Sequence, residues 1–293
     1  MAKKKKKIAW GQVGLHIYFI ITSLLYIVPM LLILSISFTG SNFKNFSLFP
    51  EEFSTYAYKL IFQRPKEIID AYAVTFFYSI MGVITSLVIN SMFAYSLSRN
   101  NFGLRKVLNI LIFIPLVFGG GMVPHYLVIS GLLHLNDTIW VYIIPFMFNA
   151  WTVIVFRTFF RGLPDDLFEA ARLDGASELR ICFNIAIPMS TPILATHAYS
   201  KFLGGWNDWV TCSIYVRKSE LFSLQYVLKR YMVGAGSDLL TMAGGASTAA
   251  QSVAMLEPVK YAMAILGIGP AILIFPFIQK FYDKGIVMGS LKG

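Results

Sequence analysis

The sequence predicts an all-α membrane protein with six transmembrane helices, and three observations lead to this fold class. Hydrophobic residues make up 56% of the chain and charged residues only 14%, whereas soluble globular proteins contain about 45–50% and about 25%. Apolar runs of about 20 residues, the length that crosses a bilayer as a helix, recur along the whole chain. Lysines and arginines lie mostly between those runs. We therefore expect residues 1–293 to form one transmembrane domain, not a soluble enzyme or a nucleic-acid-binding protein.

The six predicted spans differ in regularity. Pro115, Gly119–Gly121 and Pro124 interrupt the third span, which should be bent or broken, as membrane helices tolerate when neighbours satisfy the freed backbone. The first span follows the lysines at 3–7 but is too long for a secretory signal, so we expect a retained helix. The predicted spans are about Leu15–Phe38, Ala71–Leu97, Val107–Ile129, Ile139–Phe156, Pro188–Cys212 and Tyr261–Phe281.

The distribution of Lys and Arg predicts the orientation of the spans. If the N-terminus is inside, the inner segments hold 15 of the 25 basic residues and the outer segments hold nine. Because cytoplasmic segments carry the positive excess, both termini should face the cytoplasm. This topology places a cytoplasmic loop at about 157–187 and a cytoplasmic tail at 280–293. The same topology places two external loops at about 39–70 and about 213–260.

The sequence contains no motif for metal or nucleotide chemistry. Its four histidines form no close cluster, and no GxxxxGK[ST] phosphate-binding loop is present. Cys182 and Cys212 fall near opposite membrane faces and should remain unpaired thiols. We therefore expect no catalytic residue, no metal site and no cofactor on this chain.

The predicted cytoplasmic loop carries the strongest pattern. Pro164 followed by Asp165 and Asp166 is typical of a helix start, since proline fits the first turn and carboxylates favour the positive end of the helix dipole. Gly175 marks the end of that helix, and Ser177 can cap a second helix leading into the fifth span. The predicted unit is a helix of about ten residues, a sharp turn and a second helix.

The run Glu169-Ala170-Ala171-Arg172, with Asp174 and Gly175 after it, resembles the EAA loop of permeases in binding-protein-dependent ABC importers, whose membrane fold is called MetI-like. Glu169 and Arg172 can also pair across one helical turn. Phe118–Gly121, Tyr126–Ile129 and the tail from Lys284 resemble the maltose type of this family, which imports carbohydrates. Within that type, the whole chain is most similar to the second permease subunits of alginate importers.

This resemblance implies partners. Glu169 to Gly175 should dock on a cytosolic ATPase, and the tail should reach between two ATPase subunits, which bind the ATP and Mg²⁺. A second, unlike permease subunit and a periplasmic or extracellular solute-binding protein should complete the importer in the bacterial inner membrane. The external loop, with a predicted interfacial helix at Leu221–Val233 and a flexible stretch at Gly234–Ala250, should contact the binding protein or merely connect two spans. The tail residues implied are Gly289, Ser290, Lys292 and Gly293.

One face of the fifth span is polar. At 100° per residue, four residues of this span fall within an arc of about 60°. One of them, Lys201, lies near the middle of the span, where a charge costs about 2.5–3.5 kcal/mol. This face either lines a path for anionic sugars or holds a buried structural pair of Lys201 with Asp208. Trp206 lies on the opposite side and should pack, whereas Trp209 either stacks on a sugar or anchors at the interface. The four residues are His197, Lys201, Gly204 and Asp208.

The function that the residues and the resemblance favour is the import of oligosaccharides, and specifically of acidic polysaccharide fragments such as alginate. Neutral or pectic oligosaccharides are the alternative substrates. An ion-coupled secondary transporter is a competing function, but the chain lacks the internal repeat that many such transporters contain. An intramembrane enzyme would need clustered catalytic residues, and only the fifth span offers any.

Overall fold

The computed structural model describes residues 10–40, 47–50, 52–63, 65–232, 257–274 and 276. In that part of the chain regular structure is helical, apart from one isolated antiparallel bridge between Thr39 and Phe53. The chain divides into two compact units, Met1–Pro65 with Arg230–Ile268, and Lys66–Lys229 with Gly269–Gly293. The expectation of a single domain at 1–293 stays a prediction.

The first unit contains one long apolar helix. Helix α1, Trp10–Ser37, includes the candidate span Gly11–Ser37, and most of its side chains are exposed. A helix that is apolar on all faces is typical of a membrane span, and its surface is covered by lipid or by another protein. Helix α2, Tyr56–Ile61, packs near the end of α1, where Tyr58 donates a hydrogen bond to Ser37 Oγ at 3.0 Å.

The second unit begins with an unbroken span and continues with a broken one. Helix α3, Pro65–Ser98, runs for 34 residues and starts earlier than the predicted Ala71. Helices α4, Arg105–Val117, and α5, Met122–Leu127, meet at a bend of 117°, where Gly121 adopts a φ of +80° that suits glycine. The predicted break in the third span is thus confirmed, and a π-helical turn at Val128–Leu132 extends α5.

The fourth segment differs from the single run predicted at Ile139–Phe156. It starts with 3₁₀ turns at Ile139–Tyr142 and Ile144–Phe146 and then forms helix α6, Ala150–Arg161, at a bend of 49°. The segment is divided because a new helix starts at Ala150: the Asn149 side chain accepts a hydrogen bond from Thr152 N at 2.9 Å and so caps the helix. The helix therefore begins and ends later than expected.

The fifth segment is broken twice, whereas the sequence predicted one run at Pro188–Cys212. Short turns lead from the predicted cytoplasmic loop to a bend of 84° before helix α10, Thr191–Trp206, and a second break separates α10 from helix α11, Val210–Tyr215. A helix at residues 224–232 and the candidate span Glu257–Ile274 follow. The elements are α7, Asp165–Leu173; α8, Glu178–Ile181; a π turn at Cys182–Ala186; α9, Ile187–Met189; α10, Thr191–Trp206; α11, Val210–Tyr215; and a 3₁₀ turn at Ser219–Leu221.

By length and composition, three helices of the described chain could cross a membrane, and up to six spans result when each bent pair counts as one. The all-α membrane fold class is therefore confirmed. Three predicted segments lie outside the described residues: the lysines at 3–7, the stretch Gly234–Ala250 and the tail at 280–293, which includes Gly289, Ser290, Lys292 and Gly293.

Candidate functional site

A cavity of about 1020 Å³ lies within the second unit. Its walls come from α3, α6, α10 and the 3₁₀ turns of the broken fourth segment. The polar face predicted for the fifth span lies on this cavity, since His197, Lys201, Gly204 and Asp208 all line it. Trp209 is not among the lining residues.

Lys201 is held by a backbone oxygen rather than by a carboxylate. Its ammonium donates a hydrogen bond to the Phe146 carbonyl at 2.8 Å and lies 5.4 Å from the centroid of the Phe146 ring. Within the described residues the structure has no salt bridge between Lys201 and Asp208. An ammonium has three N–H donors, so the bond to Phe146 leaves donors available to a molecule in the cavity.

Asp208 has a capping role at the second break of the fifth segment. One carboxylate oxygen accepts a hydrogen bond from Thr211 N at 3.0 Å, which satisfies an amide at the start of α11. The Asp208 carbonyl accepts another from the Ser223 hydroxyl at 2.8 Å. The acidic member of the polar face therefore shapes the wall of the cavity.

Asn90 bridges the break in the fourth segment, a role that the sequence analysis missed. This residue is fully buried in the C-terminal half of α3. Its amide donates to the Met147 carbonyl at 3.0 Å, and its side-chain oxygen accepts from Asn149 N at 2.9 Å. One side chain thus satisfies backbone groups that the break leaves without helical partners. The available signal was an asparagine inside an apolar span.

His197 joins α10 to the same polar network. One ring nitrogen lies 3.0 Å from the Ser86 hydroxyl of α3, and the other lies 3.4 Å from the Thr152 hydroxyl of α6. The Phe156 ring meets the imidazole edge to face, with centroids 5.2 Å apart. His197 of α10 is therefore fixed in position by contacts with α3 and α6.

The tryptophans have separate environments. Trp206 is fully buried and packs against Phe76 and Phe202, at centroid separations of 4.8 and 5.8 Å, which confirms the expected packing role. Trp209 is partly exposed, and the Lys229 ammonium lies over its ring. Trp151 lines the cavity with 66% of its surface exposed.

The segment predicted to contact an ATPase forms the expected unit. Helix α7 starts directly after Pro164, Gly175 ends the turn with a φ of +79°, and the Ser177 hydroxyl accepts a hydrogen bond from Arg180 N. Phe168 of α7 is fully buried on the inner face of this helix. The outer surface is open, since Ala171 is half-buried and the other predicted contact residues are exposed: Glu169, Ala170, Arg172, Asp174 and Gly175.

Arg172 pairs with Glu178 rather than with Glu169. The Arg172 Nε lies 2.8 Å from a carboxylate oxygen of Glu178, and the other oxygen of that carboxylate accepts a hydrogen bond from the Tyr95 hydroxyl at 2.6 Å. The predicted pair within α7 is therefore wrong. The turn at Gly175 brings the start of α8 back toward Arg172, which sequence spacing alone does not reveal.

A second polar contact joins two loops between spans. The Asp137 carboxylate accepts hydrogen bonds from the backbone N–H groups of Arg217 and Lys218, and Asp137 N donates to the Tyr215 carbonyl at 3.1 Å. These two N–H donors lower the pKa of the Asp137 carboxyl from its usual value. The ionised form of Asp137 therefore stabilises the contact between the two loops.

The described part of the chain contains no group of three or more His, Cys, Asp or Glu side chains that could hold a metal ion. Cys182 and Cys212 are buried free thiols.

The sequence matches one family model and is similar to several known proteins. The family model described as "Binding-protein-dependent transport system inner membrane component" matches residues 103–288. Protein LplC of Bacillus subtilis (strain 168) is 34% identical over 250 residues, which cover 85% of this chain and 83% of the relative. The polygalacturonan/rhamnogalacturonan transport system permease protein YtcP of the same organism is 31% identical over 282 residues, covering 94% and 96%.

A solved structure is similar over the full fold. It is a chain in the crystal structure of a bacterial ABC transporter involved in the import of the acidic polysaccharide alginate. The match has a TM-score of 0.81 and 28% sequence identity, and it covers 96% of this chain and 100% of that chain.

Proposed function

The chain belongs to the family of binding-protein-dependent transport system inner membrane components, and from that premise we propose which substrate it imports and how it is driven. It is a permease subunit of the sugar-importing ABC type and is not itself a catalyst. The proposed substrates are acidic polysaccharide fragments such as alginate, delivered by a solute-binding protein.

The observation that carries this proposal is the Lys201 ammonium in the wall of the cavity. A cation in a membrane-spanning segment is costly unless it is solvated or paired, and the Phe146 carbonyl supplies only one of its acceptors. A sugar carboxylate is an acceptor of the right charge for the remaining donors, because charge-assisted hydrogen bonds are the strong ones. The structural neighbour that imports an acidic polysaccharide supports the same substrate class.

Pectic oligosaccharides are the second candidate, and one observation favours them. A relative whose name describes polygalacturonan and rhamnogalacturonan transport is 31% identical over 94% of this chain. Neutral oligosaccharides would not use the charge of Lys201. The aromatic surface of Trp151 would serve either type of sugar, since aromatic rings stack on sugar faces.

The exposed surface of α7 supports an ATPase partner. Leu173 is 89% exposed at the end of this helix, and Arg172, Asp174 and Gly175 beside it are exposed as well, so this surface is accessible to a partner protein. We assign the contact to Glu169–Gly175. The two ATPase subunits bind the ATP and Mg²⁺, and their closure moves α7 and the spans that form the cavity. A second, unlike permease subunit completes the membrane pore in the bacterial inner membrane, with both termini of this chain in the cytoplasm.

The test compares an acidic with a neutral substrate in the complete importer, reconstituted in proteoliposomes. We expect Lys201→Met to raise the half-saturating concentration for an alginate tetrasaccharide by about tenfold, since a hydrogen bond to a charged group contributes about 1.5–3 kcal/mol. Any uptake of maltotetraose should change much less. Lys201→Arg should retain most of the affinity, and Lys229→Met is the matched control outside the cavity wall.

Equal losses with the acidic and the neutral tetrasaccharide would contradict the proposed contact with substrate. They would instead indicate that Lys201 serves only to satisfy the Phe146 carbonyl.

A further inference from the structure

Arg99 lies at the junction of three helices. It follows the last residue of α3, and its side chain is only 10% exposed. One guanidinium nitrogen donates to the Phe160 carbonyl at 2.9 Å, at the C-terminal end of α6. Another lies 3.3 Å from a carboxylate oxygen of Asp165, at the start of α7. A planar guanidinium with several donors in a fixed arrangement can hold such a junction, whereas a lysine cannot make all of these contacts.

The same side chain covers the buried side of α7. The guanidinium carbon of Arg99 lies 4.0 Å from the centroid of the fully buried Phe168 ring. The ring of Tyr95, one turn earlier on α3, also lies near the guanidinium, with its centroid 5.4 Å from the guanidinium carbon and 6.3 Å from the Phe168 centroid. A cation in contact with an aromatic face is stabilising, more so when water is excluded. Helix α7 is thus attached to α3 through its inner face while its outer face stays open.

A second attachment lies on the far side of the turn. The Tyr95 hydroxyl donates to Glu178 at 2.6 Å, and Glu178 in turn pairs with Arg172 at 2.8 Å. The helix before Gly175 and the helix after it are therefore both connected to the end of α3. Relative movement between this turn and α3 would break several charged contacts at once.

Helix α3 also forms part of the cavity wall. Gly82 and Ser86 line the cavity, and Ser86 contacts His197. Arg99 lies 13 positions after Ser86, which is about 20 Å along a helix at 1.5 Å per residue. No break interrupts α3 over this distance, so both ends of this stretch move together.

We propose that Arg99 is a positioning residue for energy coupling: it holds α7 on the end of α3, so that movement of α7 is transmitted to the cavity wall. This inference rests on the proposed function, in which an ATPase moves α7. Arg99 does not touch the ATPase or the substrate in this role. Its loss leaves the outer face of α7 intact but removes the contact at the start of α7, so that α7 follows α3 less closely through the remaining Tyr95–Glu178 hydrogen bond.

The test measures uptake and ATP hydrolysis in the same proteoliposomes, which contain the complete importer and the alginate tetrasaccharide as the probe. We expect Arg99→Ala to assemble with the ATPase subunits and to hydrolyse ATP, while uptake per ATP hydrolysed falls about fivefold to tenfold, a common range for coupling between two sites. Arg99→Lys keeps the charge over Phe168 and should show an intermediate loss. Arg180→Ala, which removes an exposed arginine from α8, is the matched control and should couple normally.

Three results would overturn the inference, and they have different meanings. Unchanged uptake per ATP in Arg99→Ala would refute the coupling role alone. A parallel loss of assembly, ATP hydrolysis and thermal stability, with Arg99→Lys equally affected, would show that Arg99 only supports the fold. A wild-type complex without ATP-dependent uptake would refute the proposed function, and the coupling role with it.

Discussion

Adding one methyl group at Gly205 should separate α10 from α3. A Cβ at this position would lie 2.9 Å from Ser79 Oγ, so that the serine side chain or the helix must shift, and 3.4 Å from both Ser79 Cα and Ser79 Cβ. The Gly205 carbonyl also accepts a hydrogen bond from the Tyr78 hydroxyl at 2.8 Å. The neighbouring Gly204 provides a matched control, because a Cβ there would meet nothing within 4 Å.

The expected magnitude follows from these distances. Overpacking a well-filled contact costs about 1–3 kcal/mol, and a broken Tyr78–Gly205 hydrogen bond adds about 1 kcal/mol. Gly204→Ala should instead be neutral or slightly stabilising, because alanine is the better helix former by about 0.8–1 kcal/mol. In a domain of 150–250 residues each kcal/mol shifts the melting temperature by about 2–4 °C.

The assay is thermal unfolding of the purified chain in detergent, for both alanine variants and for a double variant. Ser79→Ala removes the Oγ, which is buried without a hydrogen-bond partner, and leaves the 3.4 Å contacts. Combining it with Gly205→Ala should therefore recover part of the lost stability. Equal melting temperatures for Gly204→Ala and Gly205→Ala would refute the close approach of α10 to α3.

Two further predictions concern polar groups that tie loops or breaks together. Asn90→Leu should lower the melting temperature far more than the exposed control Asn101→Leu, because the Met147 carbonyl and the Asn149 N–H lose their side-chain partner at the break. A lost hydrogen bond costs about 0.5–1.5 kcal/mol, and similar shifts in both variants would contradict this role. Asp137→Asn should remove a stabilisation that depends on pH. The folded pKa of Asp137 is lowered, so its contribution is complete above the usual aspartate pKa of about 3.9 and disappears as the pH falls through the folded pKa. The difference in melting temperature between wild type and Asp137→Asn should therefore be largest at neutral pH and vanish in acid, whereas a difference that persists in acid would exclude the charge as its cause.

The spans and the unit around α7 could be predicted because their signals are local. Apolar length defines a span, and proline, carboxylates, glycine and serine at fixed offsets define a helix, a turn and a second helix. Pro164 and Gly175 act in the structure as their chemistry implies. The polar face of the fifth span was also readable, since Lys201 and His197 share one side of a helix and both line the cavity.

The breaks and the long-range contacts could not be predicted because they depend on tertiary partners. The start of α6 requires Asn149 to cap a helix, but an isolated asparagine in an apolar run does not show whether it caps or packs. Asn90, which holds that break, is 59 residues away in sequence. The sequence suggested Glu169, in the same helix, as the partner of Arg172. Only the turn at Gly175 brings Glu178 within 2.8 Å of Arg172.

Breaks in the spans free backbone carbonyls, and polar side chains in the spans bind them. The number of donors on each side chain then distinguishes a structural role from a substrate-binding role. Inside a membrane a carbonyl freed by a break must find a donor. Asn90 supplies one to Met147, Tyr78 to Gly205, and Lys201 to Phe146. A tyrosine has a single donor and the asparagine amide has two, so these are occupied by the backbone and by neighbouring side chains. The ammonium of Lys201, which lines the cavity, has three, and one carbonyl leaves further donors, which is why the proposed contact with an anionic sugar is assigned to this residue and not to the other two.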